Sequence, residues 1–128
     1  MSDDLSTELA TQIDRALADA TDVAVLRAVE RGEWPKAAWD AVAELGLGLA
    51  LVPEAAGGAG LGFEAVAPSL IALGRHAAPL PLGETVFASA LLAAAGIEAP
   101  DGVVTFAVAG GAVPWGRHAG HVVIVDGA

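Results

Sequence analysis

The chain has 128 residues, the size of one ordinary domain, and carries 16 acidic against 6 basic side chains for a net charge of −10. A phosphate-binding surface needs clustered Lys and Arg, so this balance argues against a nucleic-acid partner. The sequence has no cysteine, which excludes disulfides, thiol nucleophiles and thiolate metal sites and gives no sign of an oxidising compartment.

Hydrophobic residues make up 55 % of the sequence and aromatics only 5 %. The core must therefore be packed by Ala, Val and Leu, which favours closely approaching helices. The start, Met1-Ser2-Asp3-Asp4, is acidic where a signal peptide is basic, so a cytoplasmic protein is expected. The most apolar stretch, Val86 to Ile97, is shorter than the about 20 residues that cross a bilayer and reads as a buried helix, with no membrane contact.

In chain order, Leu9, Ile13, Leu17 and Ala20 recur at helical spacing from Ser6 onward, and Glu8 suits the positive end of such a helix. Val23, Leu26 and Val29 mark a second, weaker helix running into Gly32, a residue that accepts the left-handed conformation after a helix end. Pro35 opens a third, with Ala38, Trp39, Val42 and Leu45 on one face and Gly46 as its stop. Leu47 to Val52 is a short apolar run ended by Pro53, and Gly57, Gly58, Gly60 and Gly62 then spell a flexible loop. Phe63, Val66, Leu70, Ile71 and Leu73 resume helical spacing up to Gly74. Pro68 interrupts that pattern, and the reading favoured is a late start with Pro68 in the first turn. Pro79 and Pro81 precede a last helix, Gly83 to Ala95, with Phe87, Leu91 and Leu92 on its inner face and Gly96 as stop. After Pro100 the runs Val103 to Val108 and His121 to Val125 are β-branched and read as two strands. Two strands are marginal alone, so this region reads as the opening of a larger sheet.

No chemical motif stands out. Gly57 to Gly62 precedes a helix, where backbone N–H groups attract anions, but it lacks the Gly-Lys-Ser/Thr ending of a phosphate loop and the strand before a dinucleotide fingerprint. A tight connection between helices is the expectation. His76, His118 and His121 are the only imidazoles, too few at useful spacing for the three or four ligands a metal needs. Glu44, Glu54, Glu64, Glu84, Ser69, Thr85 and Ser89 show no base with an orienting partner at a recognisable spacing. Thr85 and Ser89 are expected to bond to carbonyls one turn back.

Four successive pieces resemble the acyl-CoA dehydrogenase family. They are Trp39 to Leu47 as W-D-A-V-A-E-L-G-L, Val52 to Leu61 as V-P-E-A-A-G-G-A-G-L, Glu64 to Arg75 closing in L-G-R, and Pro79 to Gly96 opening P-L-P-L-G-E-T. The resemblance runs from about Leu17 to Gly96, and Val113 to Val125, as V-P-W-G-R-H-A-G-H-V-V-I-V, is similar to the entry into the family's β domain. It implies a mainly α fold: a helical amino-terminal domain over 1–98 and an incomplete β-domain segment over 99–128. It also implies a place in a flavoprotein that dehydrogenates acyl-CoA thioesters at the α and β carbons, with a glutamate taking the α proton and FAD the β hydride.

The departures limit what carries over. The family's Thr-Glu-Pro run with its following Gly-Ser-Asp is absent, as is the Trp-Ile-Thr string that stacks on the flavin, and Trp115 sits instead in Pro-Trp-Gly. The catalytic glutamate belongs to the family's carboxy-terminal domain, so no catalytic residue is assigned here. The expectation is that this chain alone binds no FAD and is inactive. Leu80, Leu82 and Thr85 are, by resemblance, lining residues near the far end of the acyl pocket. The resemblance further implies a homo- or hetero-oligomer with dehydrogenase-like subunits, through the Phe87, Leu91 and Leu92 stripe and the strand edges. The alternative is a non-catalytic interaction domain that pairs with a full-length dehydrogenase.

Overall fold

The computed structural model describes residues 2–126. The chain is mainly α-helical, with five α-helices and a short two-stranded sheet among the described residues. It packs as two units, Met1–Leu47 with Leu61–Leu80, and Gly48–Gly60 with Pro81–Ala128.

In the first unit, α1 (Ser2–Ala20) packs on α3 (Lys36–Ala43) and α4 (Phe63–Arg75), while α2 (Val23–Glu30) buries no residue. Helix α1 begins four residues before the expected start at Ser6. Ser6 is no cap: it lies on the buried face and its hydroxyl donates to the carbonyl of Ala65 at 2.5 Å. Ile13 and Leu17 continue that face at zero exposure. Asp22 caps α2 by accepting from the Val25 amide at 2.9 Å, and Gly32, at φ 92°, closes its end with the Glu33 amide bonded back to Ala28. In α3, Ala38, Trp39 and Val42 are buried as the spacing predicts.

Helix α4 corrects two expectations. It starts at Phe63, so Pro68 lies inside it rather than in its first turn. Pro68 is on the exposed side, so the carbonyl of Glu64 that loses its intrahelical donor belongs to the solvent-facing side of the helix. The helix also continues past Gly74 to Arg75, and the left-handed residue after it is Ala77 (φ 48°), with the Ala78 amide donating to Leu73. The buried stripe is Val66, Ser69 and Ala72, and Phe63 and Ile71, expected on it, are exposed.

In the second unit, α5 (Leu82–Ala94) packs on β1 (Val104–Val108) and touches β2 (His121–Val125). The inner face of α5 is made of Leu82, Thr85, Val86, Ala88 and Ser89 rather than of Phe87, Leu91 and Leu92. Leu91 is 43 % exposed, and Phe87 and Leu92 are half-buried at the edge of this face. Gly96 (φ 74°) ends the helix as expected. The strands are parallel, in register from Val104 opposite His121 to Val108 opposite Val125. β1 is buried over Val104, Thr105 and Ala107, whereas β2 has no buried residue.

Candidate functional site

The residues singled out for the acyl pocket lie on the approach to α5 and its first turn. Ala77 takes the left-handed turn after α4, and Pro79 and Pro81 then bar further helix until Leu82. Leu80, the last residue of the first unit, is buried. Leu82 and Thr85, in the second, are buried as well. Thr85 does not bond one turn back as its place on a helix suggested. Its Oγ1 donates to the carbonyl oxygen of Val104 at 2.9 Å and accepts from the Val104 amide at 3.2 Å, clamping the first turn of α5 to the start of β1. Its methyl group faces Gly48, where an added Cβ would meet it at 3.3 Å. Nothing in the sequence around Thr85 announced this partner, 19 residues away.

Two further hydroxyls of this unit, those of Ser89 and Thr105, are buried and make no hydrogen bond. The Ser89 hydroxyl therefore also departs from the expected bond one turn back. Glu84, between the two pocket candidates, has one carboxylate oxygen buried without a partner, and burial raises its carboxyl above the usual range. It is the one described carboxylate whose setting favours the protonated form.

The glycine loop is a packed structure rather than an open cradle. A 3-10 turn over Glu54–Ala56 leads into it, and the amides of Gly57, Gly58, Ala59 and Gly60 donate to the carbonyls of Glu54, Pro53, Leu49 and Val52 at 2.8–3.1 Å. With every one of those N–H groups satisfied internally, none is left to hold a phosphate. At Gly58 a Cβ would collide with the Val52 carbonyl and lie 2.6 Å from that of Leu49, which is why a glycine stands there.

A polar clasp in the first unit has no local signal in the sequence, because its partners are far apart along the chain. Asp14 Oδ1 accepts from Arg75 Nη1 at 2.8 Å and lies 2.9 Å from His76 Nε2. His76, then Arg75, hold the Asp14 carboxyl below its ordinary value. The other two histidines fall on the turn before β2 and at its first residue. Among the described residues no three His, Asp or Glu side chains converge on a metal site, and no helix is long and apolar enough to cross a membrane.

No curated protein and no solved structure matches the chain. A family model does, that of the acyl-CoA dehydrogenase amino-terminal domain, over residues 6–99. That span takes in α1 from Ser6 onward, the other four helices, the glycine loop and the turn that sets up α5, and on it the chain belongs to the acyl-CoA dehydrogenase family, through that family's amino-terminal domain.

Proposed function

We propose that the chain serves as the helical amino-terminal part of an acyl-CoA dehydrogenase-like flavoprotein, shaping the acyl pocket and subunit contacts while the redox chemistry is done elsewhere. The observation that carries this reading is the family match over residues 6–99. In this reading the division falls near residue 98, and 99–128 open the β domain. By the resemblance alone, Leu80, Leu82 and Thr85 are each taken as lining residues near the far end of the family's acyl pocket, where a thioester's hydrocarbon tail is bound by surface burial. The Thr85 hydroxyl is occupied by Val104, so it offers that tail no hydrogen bond.

The family uses FAD, and the residues here do not build a cradle for it. The buried hydroxyls of the second unit that make no hydrogen bond, on Ser89 and Thr105, belong to residues at most 1 % exposed and are sealed against any ring system. The sheet has two strands among the described residues, and no aromatic residue lies on β2. In this reading the chain alone binds no flavin and turns over no acyl-CoA, because the flavin-contacting run and the catalytic glutamate of the family have no counterpart among its residues. The test is the absorbance spectrum of the purified chain after gel filtration, with an acyl-CoA assay using an artificial electron acceptor. Stoichiometric yellow flavin, or turnover that survives removal of contaminating flavoproteins, would overturn this reading.

One observation favours a second reading, that of a non-catalytic domain pairing with a full-length dehydrogenase. β2 carries Val122, Ile124 and Val125 exposed at 39 %, 57 % and 37 %, and an apolar strand with an open edge recruits another strand. Aspartate at Val123 or Leu91 then abolishes association with such a subunit, whereas the pocket role predicts that Leu80→Ala shifts the preferred acyl length of the assembled enzyme.

A further inference from the structure

Three of the helices end in the same kind of turn, in which a left-handed residue and the one after it donate their amides back to carbonyls of the last helical turn. In α2 the bonds run from Gly32 to Val29 and from Glu33 to Ala28, and in α5 from Gly96 to Ala93 and from Ile97 to Leu92. In α4 they run from Ala77 to Gly74 and from Ala78 to Leu73, and all six are 2.9–3.1 Å long. Glycine holds the left-handed position in α2 and α5, at φ 92° and 74°, but alanine holds it in α4, at φ 48°. There the Cβ crowds the following carbonyl, so the turn of α4 is the strained one of the three. It is also the one whose cap residue is tied to another helix. His76 Nε2 lies 2.9 Å from Asp14 Oδ1 on α1, the oxygen that also accepts from Arg75, and the His76 side chain is only 22 % exposed. Arg31, which caps α2, bonds instead to Glu33 within its own turn, and Ala95, which caps α5, has no polar side chain.

We infer that the Asp14–His76 clasp is a proton-operated latch on this strained turn, closed while the imidazole is charged and loosened when it is neutral. Histidine is the side chain whose charge ordinarily changes between about pH 5 and 8. While charged, both ring nitrogens donate, and Nε2–H meets an ionised carboxylate in the stronger class of hydrogen bond. Once neutral, the ring keeps one N–H, so Oδ1 faces either a weaker donor or a lone pair. Hydrogen bonds from His76 and then Arg75 hold the Asp14 carboxyl below its ordinary 3.8, so the acceptor stays ionised throughout the imidazole's range. The sign follows: the latch is closed on the acid side of that range and slackens as pH rises through it, while Arg75 keeps its own bond to Asp14. Other charges on the packed elements are turned elsewhere. Arg15 and Asp19 stand exposed on α1, and Glu64 lies at the opposite end of α4. On α3, which packs on α1, Lys36 and Asp40 pair with each other, and Glu44 at its end is exposed. The charges that shift the Asp14 carboxyl are those of His76 and Arg75.

His76 opens the segment that leads to Leu80, so on the pocket reading the latch sets how firmly that lining residue is held. The latch itself does not rest on that reading, and its failure would leave the reading intact. The experiment is amide hydrogen exchange of the full chain followed by NMR in steps from about pH 5.5 to 8.5, with rates corrected for intrinsic exchange and the His76 ring resonances followed in the same samples. Protection of the Ala77 and Ala78 amides is expected to fall about threefold across the range, in step with the His76 ring, as suits a partly exposed ion pair. The Gly96 and Ile97 amides, in the matching turn of α5, are expected to show no such change. His76→Gln keeps a neutral donor without a titration and is expected to flatten the response, whereas His121→Gln is expected to preserve it. Circular dichroism verifies folding, and should His76→Gln not fold, Asp14→Asn, which removes the charged acceptor, is expected to flatten the response in its place. Flat protection at Ala77 and Ala78 in the parent overturns the inference. So does a fall shared equally by the α5 turn, or one that survives the loss of the imidazole or of the Asp14 charge.

Discussion

The two units reach stability by different means. In the first, helices meet through polar ties far apart in sequence, Ser6 to Ala65 and Asp14 to Arg75 and His76, laid over a core of Ile13, Leu17, Val42 and Val66. In the second, the backbone itself is the packing surface: Gly58 lies against the carbonyls of Val52 and Leu49, and Thr85 is bonded to both the amide and the carbonyl of Val104. The exposed tie of Asp14 and Arg75 tolerates replacement, because water can take over its partners. Backbone contacts do not, because there is no room for an atom and no solvent to substitute. The second unit should therefore be the more brittle.

Gly58→Ala is the strongest way to break that comparison. The added Cβ meets two carbonyl oxygens and the Cβ of Val52, so the turn must open and release the bonds its amides make. A loss of about 3 kcal/mol is expected from overpacking of this kind, visible in chemical denaturation. Gly74→Ala is the matched control, since nothing lies within 4 Å of its Cβ position and it sits inside α4. There alanine should stabilise by about 0.5–1 kcal/mol. Equal effects at the two glycines would mean that the loop gives way freely.

Thr85→Val comes next. It keeps the shape and the methyl contact near Gly48 but leaves the Val104 amide and carbonyl without the hydroxyl in a buried place. The expected cost is about 1–3 kcal/mol, the range for orphaning buried polar groups, and Thr85→Ser should recover most of it. If valine were neutral, the clamp between α5 and β1 would be incidental.

Ala77→Gly tests the first unit with a smaller effect of opposite sign. Ala77 holds φ 48° at the end of α4, a conformation that disfavours any residue with a Cβ. Glycine there should raise stability by up to about 1 kcal/mol.

The same contrast explains what could be read in the sequence. Helices α2, α3 and α5, the glycine stops at Gly32, Gly46 and Gly96, and both strands follow from apolar spacing and from residues with strong local preferences. Local signals failed where tertiary contacts decided. Pro68 reads as a first-turn residue because a proline further inside a helix removes a hydrogen bond and crowds the turn before it, but it faces outward, where that loss is borne by solvent, and sequence alone does not say which way it points. The inner face of α5 was assigned to its largest residues, although closeness to β1 selects Ala88, Ser89 and Thr85. Ser6 and Asp14 gave no sign of their roles, because their partners lie 59 to 62 residues on. Leu80, Leu82 and Thr85 are candidates for the acyl pocket only through resemblance, since buried leucine and threonine carry no chemical signature of their own.

The smallest effects sharpen the comparison through pH, because the two units hold carboxyls shifted in opposite directions. Hydrogen bonds from His76 and Arg75 lower Asp14 from the ordinary 3.8, whereas burial raises Glu84 from 4.5. A lowered carboxyl contributes stability that is fully present above its unfolded value and is lost as pH falls through the folded one. A raised carboxyl does the reverse: folding disfavours its charged form, so the chain loses stability as pH climbs from 4.5 through the folded value and carries the full penalty above it. Asp14→Asn should therefore lower the melting temperature at neutral pH, and the difference from the parent should close only below pH 3.8. Glu84→Gln should raise the melting temperature at neutral pH, and its advantage should be gone by pH 4.5. Thermal melts of the parent and both variants across this range would show one curve converging from below and the other from above. The Asp14 side chain is 40 % exposed and its contribution is screened by solvent and salt, so its difference should shrink at high ionic strength, while that of Glu84, which arises from lost hydration, should persist. Two differences of the same sign would mean that the buried oxygen of Glu84 has found a donor in solution, and that the second unit is less tightly closed than its backbone contacts require.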